Sequence, residues 1–257
     1  MTIYHQGTAR TVRKLAMSKA EREARVQLAA CYRIFDHLGW TEMIFNHITL
    51  RVPGPEKLFL INPFGLLYRE ITASSLVLID IEGSPAREAK WPVNRAGFVI
   101  HSAIHGAIAE AHCVMHTHTT SGMAVACQKD GLSPTNFYAA QLHGRVAYHD
   151  FEGITVDEDE KKRMLASIGG KPAVILRNHG LLAWGPSLPE AFMMLWTLQR
   201  ACDVQIASSS AGPLNPIRPE VFEQTVRESG PGEKRTCEDV FAAMQRLVDA
   251  RDPSYRD

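Results

Sequence analysis

The stretch Cys113–Gly122, CVMHTHTTSG, places His116 and His118 where a short apolar run ends. The apolar run favours a buried β-strand. Residues two apart on a strand point to the same face, with Cα atoms about 6.5–7 Å apart. Two imidazoles so placed can bind one metal ion, whereas a helix would direct them about 200° apart. The stretch predicts half of a metal site, unless one histidine is a hydrogen-bonded core residue and the other is exposed.

A second polar stretch, Arg177-Asn178-His179-Gly180, lies between two apolar runs. Asn and Gly suit a tight turn because both tolerate positive φ, but a turn does not account for His179. If the strands CVMHTH and VILRNH are neighbours in one sheet, three imidazoles meet at one end of it. Three protein nitrogens with an open position form the ligand set of a catalytic zinc site. The alternative is a turn histidine that caps a backbone group.

The flanking segments alternate between strand and helix patterns. Ser18 with Glu21 and Ser187 with Glu190 are capping boxes, and they predict helices that begin there; Gly39 is a natural end for the first. Further predicted strands are HITLRV (47–52), KLFLIN (57–62), LVLIDIEG (76–83) and GRVAYHD (144–150), and further predicted helices cover 96–111, 119–129, 157–168 and Thr236 to about Ala250. This order predicts an α/β domain whose mixed or antiparallel sheet is flanked by helices.

Three regions are expected along the chain. Residues 1–17 read as a flexible N-terminal arm, 18–212 as the main domain, and 213–257 as a C-terminal extension with one helix. The segment AGPLNPIRP, 211–219, reads as a linker between the last two.

The composition excludes several classes of protein. The 257 residues carry 28 basic and 28 acidic side chains, which gives no electrostatic argument for binding nucleic acid or an anionic membrane. Five scattered cysteines without a CxxC pair favour a reduced compartment. We see no secretory signal, no apolar run of the ~20 residues that a membrane span needs, and neither common nucleotide-binding fingerprint. A soluble, cytoplasmic protein is therefore expected.

Six motifs in order resemble the class II aldolase/adducin family, over about residues 20–212. They are FNHITLRVPG (45–54), LINPFGLLYREIT (60–72), VNRAGFVIHSAIH (93–105), VMHTHTTSG (114–122), LRNHGLLAWG (176–185) and ACDVQIA (201–207). Together they are specific, and they are most similar to the adducin head and to adducin-like proteins of unknown activity. The resemblance implies a three-layer α/β/α fold with a central, mainly antiparallel sheet, and a homotetramer with active sites between subunits.

The resemblance also implies a ligand set and a chemistry. In the metal-dependent aldolases of the family, the HxH pair and the later histidine bind a divalent ion, usually zinc. Those positions correspond to His116, His118 and His179 in this sequence. The ion acts as a Lewis acid that stabilises negative charge on the substrate as a C–C bond breaks. Imidazole also suits Mn²⁺, Fe²⁺ and Co²⁺, so the sequence does not choose among them.

One position departs from the aldolase pattern. Those enzymes carry a glutamate on the helix ahead of HxH, four residues before a histidine. The glutamate is a metal ligand in the resting enzyme and the general acid/base. Here His101 matches that histidine, so the position of the glutamate is Gly97. His101, or His105 one turn further, could move the proton instead, because histidine titrates near neutrality. Both could equally be hydrogen-bonded helix residues. Tyr138 matches a tyrosine that donates a proton to a neighbouring subunit's site, or is a core or interface aromatic.

The substrate end of the site is assigned by the same resemblance. Asn46, and Asn62 with Gly65, match the two loops that hold a phosphate or carboxylate, although turn chemistry alone also explains them. The phosphate-binding serines of the aldolases are largely absent here, and Asn94 and Arg95 stand nearby instead. A guanidinium can clamp a carboxylate, which favours a hydroxy or oxo acid over a sugar phosphate, unless Arg95 is a surface residue.

Two functions follow from these residues. The first is a divalent-metal-dependent carbon–carbon lyase, of aldolase or decarboxylase type, that acts on a small hydroxy or oxo acid or a sugar-like substrate. The second is a non-catalytic, adducin-like assembly protein that retains a metal site. The absence of a carboxylate at Gly97 is compatible with either.

Overall fold

One seven-stranded sheet organises the chain, of which the computed structural model describes residues 16–54, 57–153, 158–229 and 233–257. The strands are β1 Ile48–Arg51, β2 Phe59–Ile61, β3 Val77–Ile79, β4 Cys113–Thr117, β5 Val146–His149, β6 Ala173–Leu176 and β7 Gly180–Gly185. The helices are α1 Lys19–Leu38, α2 Arg95–Ala107, α3 Thr120–Ala126, α4 Phe137–Gln141, α5 Glu158–Ile168, α6 Leu188–Ser209, α7 Pro219–Ser229 and α8 Lys234–Arg251.

The sheet has the strand order β3-β2-β1-β4-β7-β6-β5. Every neighbouring pair is antiparallel except β5 and β6, which are parallel. The expected mainly antiparallel sheet is thereby confirmed. Strand β7 separates β4 from β6, so the expectation that CVMHTH and VILRNH are direct neighbours is wrong. The short β6–β7 turn instead brings the end of β6 back to the end of β4.

Helices cover both faces of the sheet, as the alternating directions of the side chains along β4 show. Cys113 and Met115 point into a large core formed with α1, α3, α4, α6 and α8. Val114 points into a smaller core beneath α2 and α5. The predicted three-layer α/β/α architecture is confirmed. His116 has the same parity as Val114, so it lies on the α2 face of the sheet.

The predicted caps explain where the two longest helices begin. Ser18 accepts a hydrogen bond from the Glu21 amide at 3.0 Å, and Ser187 accepts one from the Glu190 amide at 3.3 Å. Gly39 ends α1 in the left-handed conformation, at φ 73°. The predicted start of the last helix at Thr236 is wrong, since α8 begins at Lys234. The sequence interpretation also missed α4 and α7.

The C-terminal segment packs on the main sheet domain. Helix α8 lies against α6 and α1, and the Tyr255 carbonyl accepts a hydrogen bond from the Ala73 amide at 2.7 Å. Arg33 of α1 forms an ion pair with Asp252 at 2.7 Å. The expected arm, 1–17, lies almost wholly outside the described residues. Among the described residues, no helix is both long and apolar enough to cross a membrane.

Candidate metal centre

His116 and His118 sit where β4 leaves the sheet. His116 pairs in register with Leu182 of β7, whereas His118 follows the last strand residue, Thr117. Thr119 then caps α3, its side chain accepting from the Gly122 amide at 3.3 Å. The chain therefore changes from strand to helix directly after the second histidine, which fixes the backbone on both sides of the pair.

A polar network from α6 holds the start of α3. Thr119 donates to Gln199 Oε1 at 2.5 Å, and Gln199 Nε2 donates to Ser121 Oγ and Asp203 Oδ1, each at 2.7 Å. Ser121 also donates to Asp203. The sequence interpretation missed these positioning roles, although Asp203 lies within the ACDVQIA motif. The network ties the residues after His118 to the longest helix of the core.

His179 is supplied by the three-residue turn between β6 and β7. Asn178 has φ 59°, a left-handed conformation that asparagine tolerates, as the sequence predicts for this turn. The His179 amide donates to the Leu176 carbonyl, and the Asn178 amide donates to the Ala126 carbonyl, both at 3.0 Å. The second bond docks the turn on the end of α3, so the turn that carries His179 is fixed to the helix that follows His118.

Gly180 permits the close approach of this turn to β4. A Cβ atom at position 180 would lie 2.4 Å from the Thr117 carbonyl oxygen, 3.0 Å from His118 Cδ2 and 3.2 Å from His116 Cε1. The first distance is a clash with backbone, which no side-chain rotation relieves. The glycine after His179 is therefore required by packing at the site.

The three imidazoles converge. The ring centres of His116, His118 and His179 are 4.5, 4.8 and 4.9 Å apart, and one nitrogen from each lies within 4.8 Å of the others. His116 Nε2 and His118 Nε2 are 2.7 Å apart. His116 is buried, while His118 and His179 are partly exposed. The cluster therefore has a protein side and a side that is open to solvent.

The protonation states of the cluster suit a cation. His116 Nδ1 lies 2.9 Å from the Leu181 carbonyl oxygen, so it donates its proton there and leaves a lone pair on Nε2. Burial, and then the neighbouring histidines, hold the pKa of His116 well below its usual value. Burial also lowers the pKa of His118. Burial, and then the neighbouring His118, lower the pKa of His179 to about 4. The rings are neutral near pH 7, the form in which imidazole binds metals.

His101 and His105, the candidate proton carriers of α2, belong to a separate buried network. His105 Nδ1 donates to the Ala111 carbonyl at 2.7 Å, so its Nε2 accepts from the Thr49 hydroxyl at 2.7 Å. Thr49 in turn accepts from His101 Nδ1 at 2.7 Å. His101 Nε2 remains buried without a partner in the part of the chain that the structure describes. His105 is thus fully engaged, whereas His101 keeps one free lone pair.

His47, which the sequence interpretation missed, lies between His101 and the cluster. Its ring centre is 4.1 Å from that of His101 and 6.2 Å from that of His116. A Cβ atom at Gly97 would lie 2.6 Å from His47 Cε1, so His47 fills the volume above this glycine. A sequence signal was present, because His47 directly follows Asn46 in a motif already assigned to the site.

The two loop asparagines are both buried but differ in their bonding. Asn46 adopts φ 67°, and its Oδ1 has no hydrogen-bond partner within the described ranges. Asn62 Oδ1 lies 3.0 Å from the hydroxyl of Tyr32, which also bonds the backbone of Ile48. Asn46 therefore keeps a free acceptor beside His47, whereas Asn62 is held by the core and ties β2 to the start of β1.

The remaining candidate substrate residues lie around the start of α2 and in the loop after β2. Asn94 caps α2 by accepting from the Gly97 amide at 3.3 Å, and its Nδ2 lies near the same glycine as His47. Gly65 has φ 106° and open space around it. The side chain of Arg95 lies outside the described part of the chain. Asn94 is thus close to His47, whereas nothing lies within 4 Å of a Cβ atom placed at Gly65.

Tyr138 packs away from the histidines of its own chain. Its ring contacts Phe137 and Trp196, with centre distances of 5.3 and 5.5 Å, and Arg200 lies 5.6 Å from the ring centre. These contacts hold α4 on α6. The structure of one chain therefore does not bring Tyr138 to the three imidazoles, and any role there requires a second copy of the chain.

The comparison with known proteins identifies the family. The sequence profile of the Class II Aldolase and Adducin N-terminal domain matches residues 26–206. The chain belongs to the class II aldolase and adducin family. An aldolase II superfamily protein from Pseudomonas syringae has a similar structure, with a TM-score of 0.88 and 44% identity over 93% of this chain and 97% of the other.

Similar proteins with specific names include both an aldolase and an adducin. L-fuculose 1-phosphate aldolase from Glaciozyma antarctica matches with a TM-score of 0.82 and 29% identity, over 96% of this chain and 98% of the aldolase. Alpha-adducin from Rattus norvegicus is 41% identical over 251 residues, which cover 91% of this chain and 34% of the adducin. The chain therefore corresponds to a whole aldolase of this fold and to about one third of an adducin.

Proposed function

We propose that this protein is a divalent-metal-dependent carbon–carbon lyase of the aldolase or decarboxylase type. The observation that carries the proposal is the convergence of three neutral imidazoles, from His116, His118 and His179, at the end of β4. The class II aldolase family supports a lyase. The proposed substrate is a small hydroxy or oxo acid, or a sugar-like molecule.

The three histidines fit a divalent ion. A ligand histidine commonly donates its second ring nitrogen to a carbonyl, which orients the first, and His116 does so towards Leu181. Three nitrogen ligands with one open side are typical of catalytic zinc, so Zn²⁺ is the proposed ion, with Mn²⁺, Fe²⁺ and Co²⁺ as alternatives. When bound, such an ion supplies a Lewis acid that polarises a carbonyl oxygen.

The chain's own residues would bind the substrate and move the proton. Asn46, the residue before His47, offers a buried acceptor without a partner among the described residues. Asn94 and Arg95 at the start of α2, with Asn62 and Gly65, are the proposed substrate residues. An arginine there would balance the charge of an acid substrate.

Proton transfer is assigned to His101 or Tyr138, and Tyr138 would act from a neighbouring subunit of a homotetramer. Exposed apolar side chains next to the assigned residues are compatible with such an assembly. They are Met43 and Phe45 before Asn46, Met123 in α3, and Phe137 beside Tyr138. The proposed location is the cytoplasm, in keeping with five free cysteines.

Elemental analysis of protein purified without chelator tests the proposal. Wild type should carry about one divalent ion per chain, and His116→Ala and His179→Ala should lose it, because each removes one of the three nitrogens that converge on the ion. His112→Ala is the matched control, since His112 is exposed and precedes the same strand. The metal-loaded protein is then assayed for C–C cleavage of hydroxy and oxo acids. Wild type that binds no metal after reconstitution would refute the proposal.

An adducin-like assembly function is the second candidate. Its support is the 41% identity with alpha-adducin, which exceeds the 29% identity with L-fuculose 1-phosphate aldolase. Gly97, in place of a carboxylate, is compatible with lost catalysis. This function predicts that metal-loaded protein cleaves no substrate and that its oligomeric state does not change when His116→Ala removes the metal.

A further inference from the structure

His47 presents a buried nitrogen that no group satisfies. The side chain is 5% exposed, and Nε2 has no hydrogen-bond partner among the described residues. His101 Nε2 is also unpartnered, so the two adjacent rings do not satisfy each other. A buried polar atom without a partner costs about 1–3 kcal/mol, and folded proteins rarely retain one without a reason.

Two features of the chain hold His47 in this position. Asn46 immediately before it has φ 67°, a left-handed conformation that asparagine tolerates better than most residues and that turns the chain before β1. On the other side, Gly97 makes room for the ring, because a Cβ atom there would lie 2.6 Å from His47 Cε1 and 2.9 Å from Nδ1. The Gly97 backbone raises the pKa of His47 against the larger effect of burial, which fits an Nδ1 proton directed at the Gly97 carbonyl and a lone pair on Nε2.

The distances place His47 at the edge of the metal centre. Two imidazoles on one ion, with bonds of about 2.0–2.1 Å, have ring centres about 5 Å apart at a tetrahedral angle and about 6 Å apart when they face each other across the ion. The ring centres of His47 and His116 are 6.2 Å apart, about 1 Å more than a tetrahedral ion requires, so His47 joins such an ion by a shift of its ring of about 1 Å towards the cluster. Burial, together with the charges of His118 and His179, lowers the pKa of His47 to about 4, so the ring is neutral and able to bind a cation.

We propose that His47 is a fourth protein ligand of the metal centre, on the protein side of the cluster opposite the partly exposed His118 and His179. The inference rests on the proposed three-histidine metal site and adds one residue to it. It explains why a buried nitrogen faces no hydrogen-bond partner and why position 97 has no side chain. Solvent access through His118 and His179 remains for the substrate.

Metal affinity is the first measurement. Zn²⁺ is titrated against a chromophoric chelator with wild type, His47→Phe and the control His112→Ala. Phenylalanine keeps a planar ring, somewhat larger than imidazole, without a nitrogen. His47→Phe should bind Zn²⁺ at least about tenfold more weakly, and His112→Ala should match wild type. The Co²⁺ visible spectrum, which reports the number and type of ligands, should change in His47→Phe and remain unchanged in His112→Ala.

A ligand transplant gives a second measurement. Gly97→Glu alone should weaken Zn²⁺ binding, because its Cβ would meet His47 Cε1 at 2.6 Å. The double variant His47→Ala/Gly97→Glu removes that clash and offers a carboxylate from the same side. Its Zn²⁺ affinity should exceed that of His47→Ala by at least about tenfold. The double variant also serves as the test if His47→Phe does not fold.

The outcomes separate this inference from the proposed function. If wild type binds Zn²⁺ and His116→Ala does not, but folded His47→Phe has the wild-type affinity and Co²⁺ spectrum, His47 is not a ligand and the three-histidine site stands. If a double variant that folds gains no affinity over His47→Ala, the inference also fails. If wild type itself binds no metal, both proposals fail together.

Discussion

Two groups of histidines on the same face of the sheet differ in how their nitrogens are used. Thr49 of β1 pairs in register with Val114 of β4, so it lies beside the position of His116. Around Thr49, His101 and His105 form a closed chain of hydrogen bonds that ends on the Ala111 carbonyl. Around His116, three nitrogens face one another instead.

Burial alone does not distinguish these groups, since it lowers the histidine pKa values in both. The difference lies in the direction of the lone pairs. In the Thr49 network every imidazole lone pair except that on His101 Nε2 meets a donor. The network thereby stabilises the packing of α2 on the sheet. In the His116 cluster the lone pairs converge without enough donors, which is the arrangement that a cation satisfies. The number of buried histidines is therefore less informative than their hydrogen-bond partners.

The largest expected effect comes from a substitution that forces the β6–β7 turn away from β4. Gly180→Ala would place a Cβ 2.4 Å from the Thr117 carbonyl oxygen, so the β6–β7 turn must move away from β4 and carry His179 with it. We expect loss of bound metal and a decrease of about 3 kcal/mol or more in the free energy of unfolding. Elemental analysis and urea denaturation measure the two effects.

Gly106→Ala is the matched control for that substitution. A Cβ at Gly106 meets nothing within 4 Å, and the residue lies in α2, where alanine is favoured over glycine by about 0.5–1 kcal/mol. The control should bind metal and be as stable as wild type or more stable. A Gly180→Ala protein that retains its metal would show that the close approach is not required.

The sequence predicts much of the metal cluster because its parts are local. The HxH spacing, the cap at Thr119 and the left-handed Asn178 each follow from a few adjacent residues. The position of β7 between β4 and β6 does not follow from adjacent residues, because strand order depends on pairing between distant segments.

His47 was missed for a similar reason. Its position depends on the volume left free by Gly97, which lies 50 residues further along the chain. No periodicity or spacing links two such residues. Helix α7 was missed because its sequence follows a proline-rich segment that reads as a linker, although a proline at the first position is compatible with a helix.

A smaller effect should follow from breaking the Thr49 network. Thr49→Val keeps the side-chain shape but removes the hydroxyl, which leaves the His101 Nδ1 proton and the His105 Nε2 lone pair buried and unpaired. Each unpaired group costs about 1–3 kcal/mol, so we expect a total decrease of about 2–6 kcal/mol in the free energy of unfolding. Thr41→Val at an exposed position is the control and should change stability by less than about 0.5 kcal/mol.

The same variant tests whether the two groups are independent. If the Thr49 network is only structural, folded Thr49→Val should bind Zn²⁺ with wild-type affinity, while Gly180→Ala does not. A parallel loss of metal in Thr49→Val would contradict the distinction and show that the network orients the metal centre through His101 and His47.

The smallest expected effect is a change in the pH dependence of stability. Burial lowers the pKa of His105 to about 3, compared with about 6.5 in the unfolded chain. Between these values the unfolded state binds more protons, so His105 lowers stability as the pH falls, by about 1.4 kcal/mol per pH unit. Above about pH 7 both states are neutral, and His105 adds no slope.

His105→Gln should therefore reduce the slope of unfolding free energy against pH by about 1.4 kcal/mol per pH unit between about pH 5 and pH 6. Carboxylates titrate mostly below this range, and their contribution cancels in the difference between wild type and variant. Urea denaturation at several pH values measures the slopes. Equal slopes would mean that His105 is protonated in the folded protein. The hydroxyl of Thr49 could then no longer donate to its Nε2, and the assigned direction of the whole network would reverse.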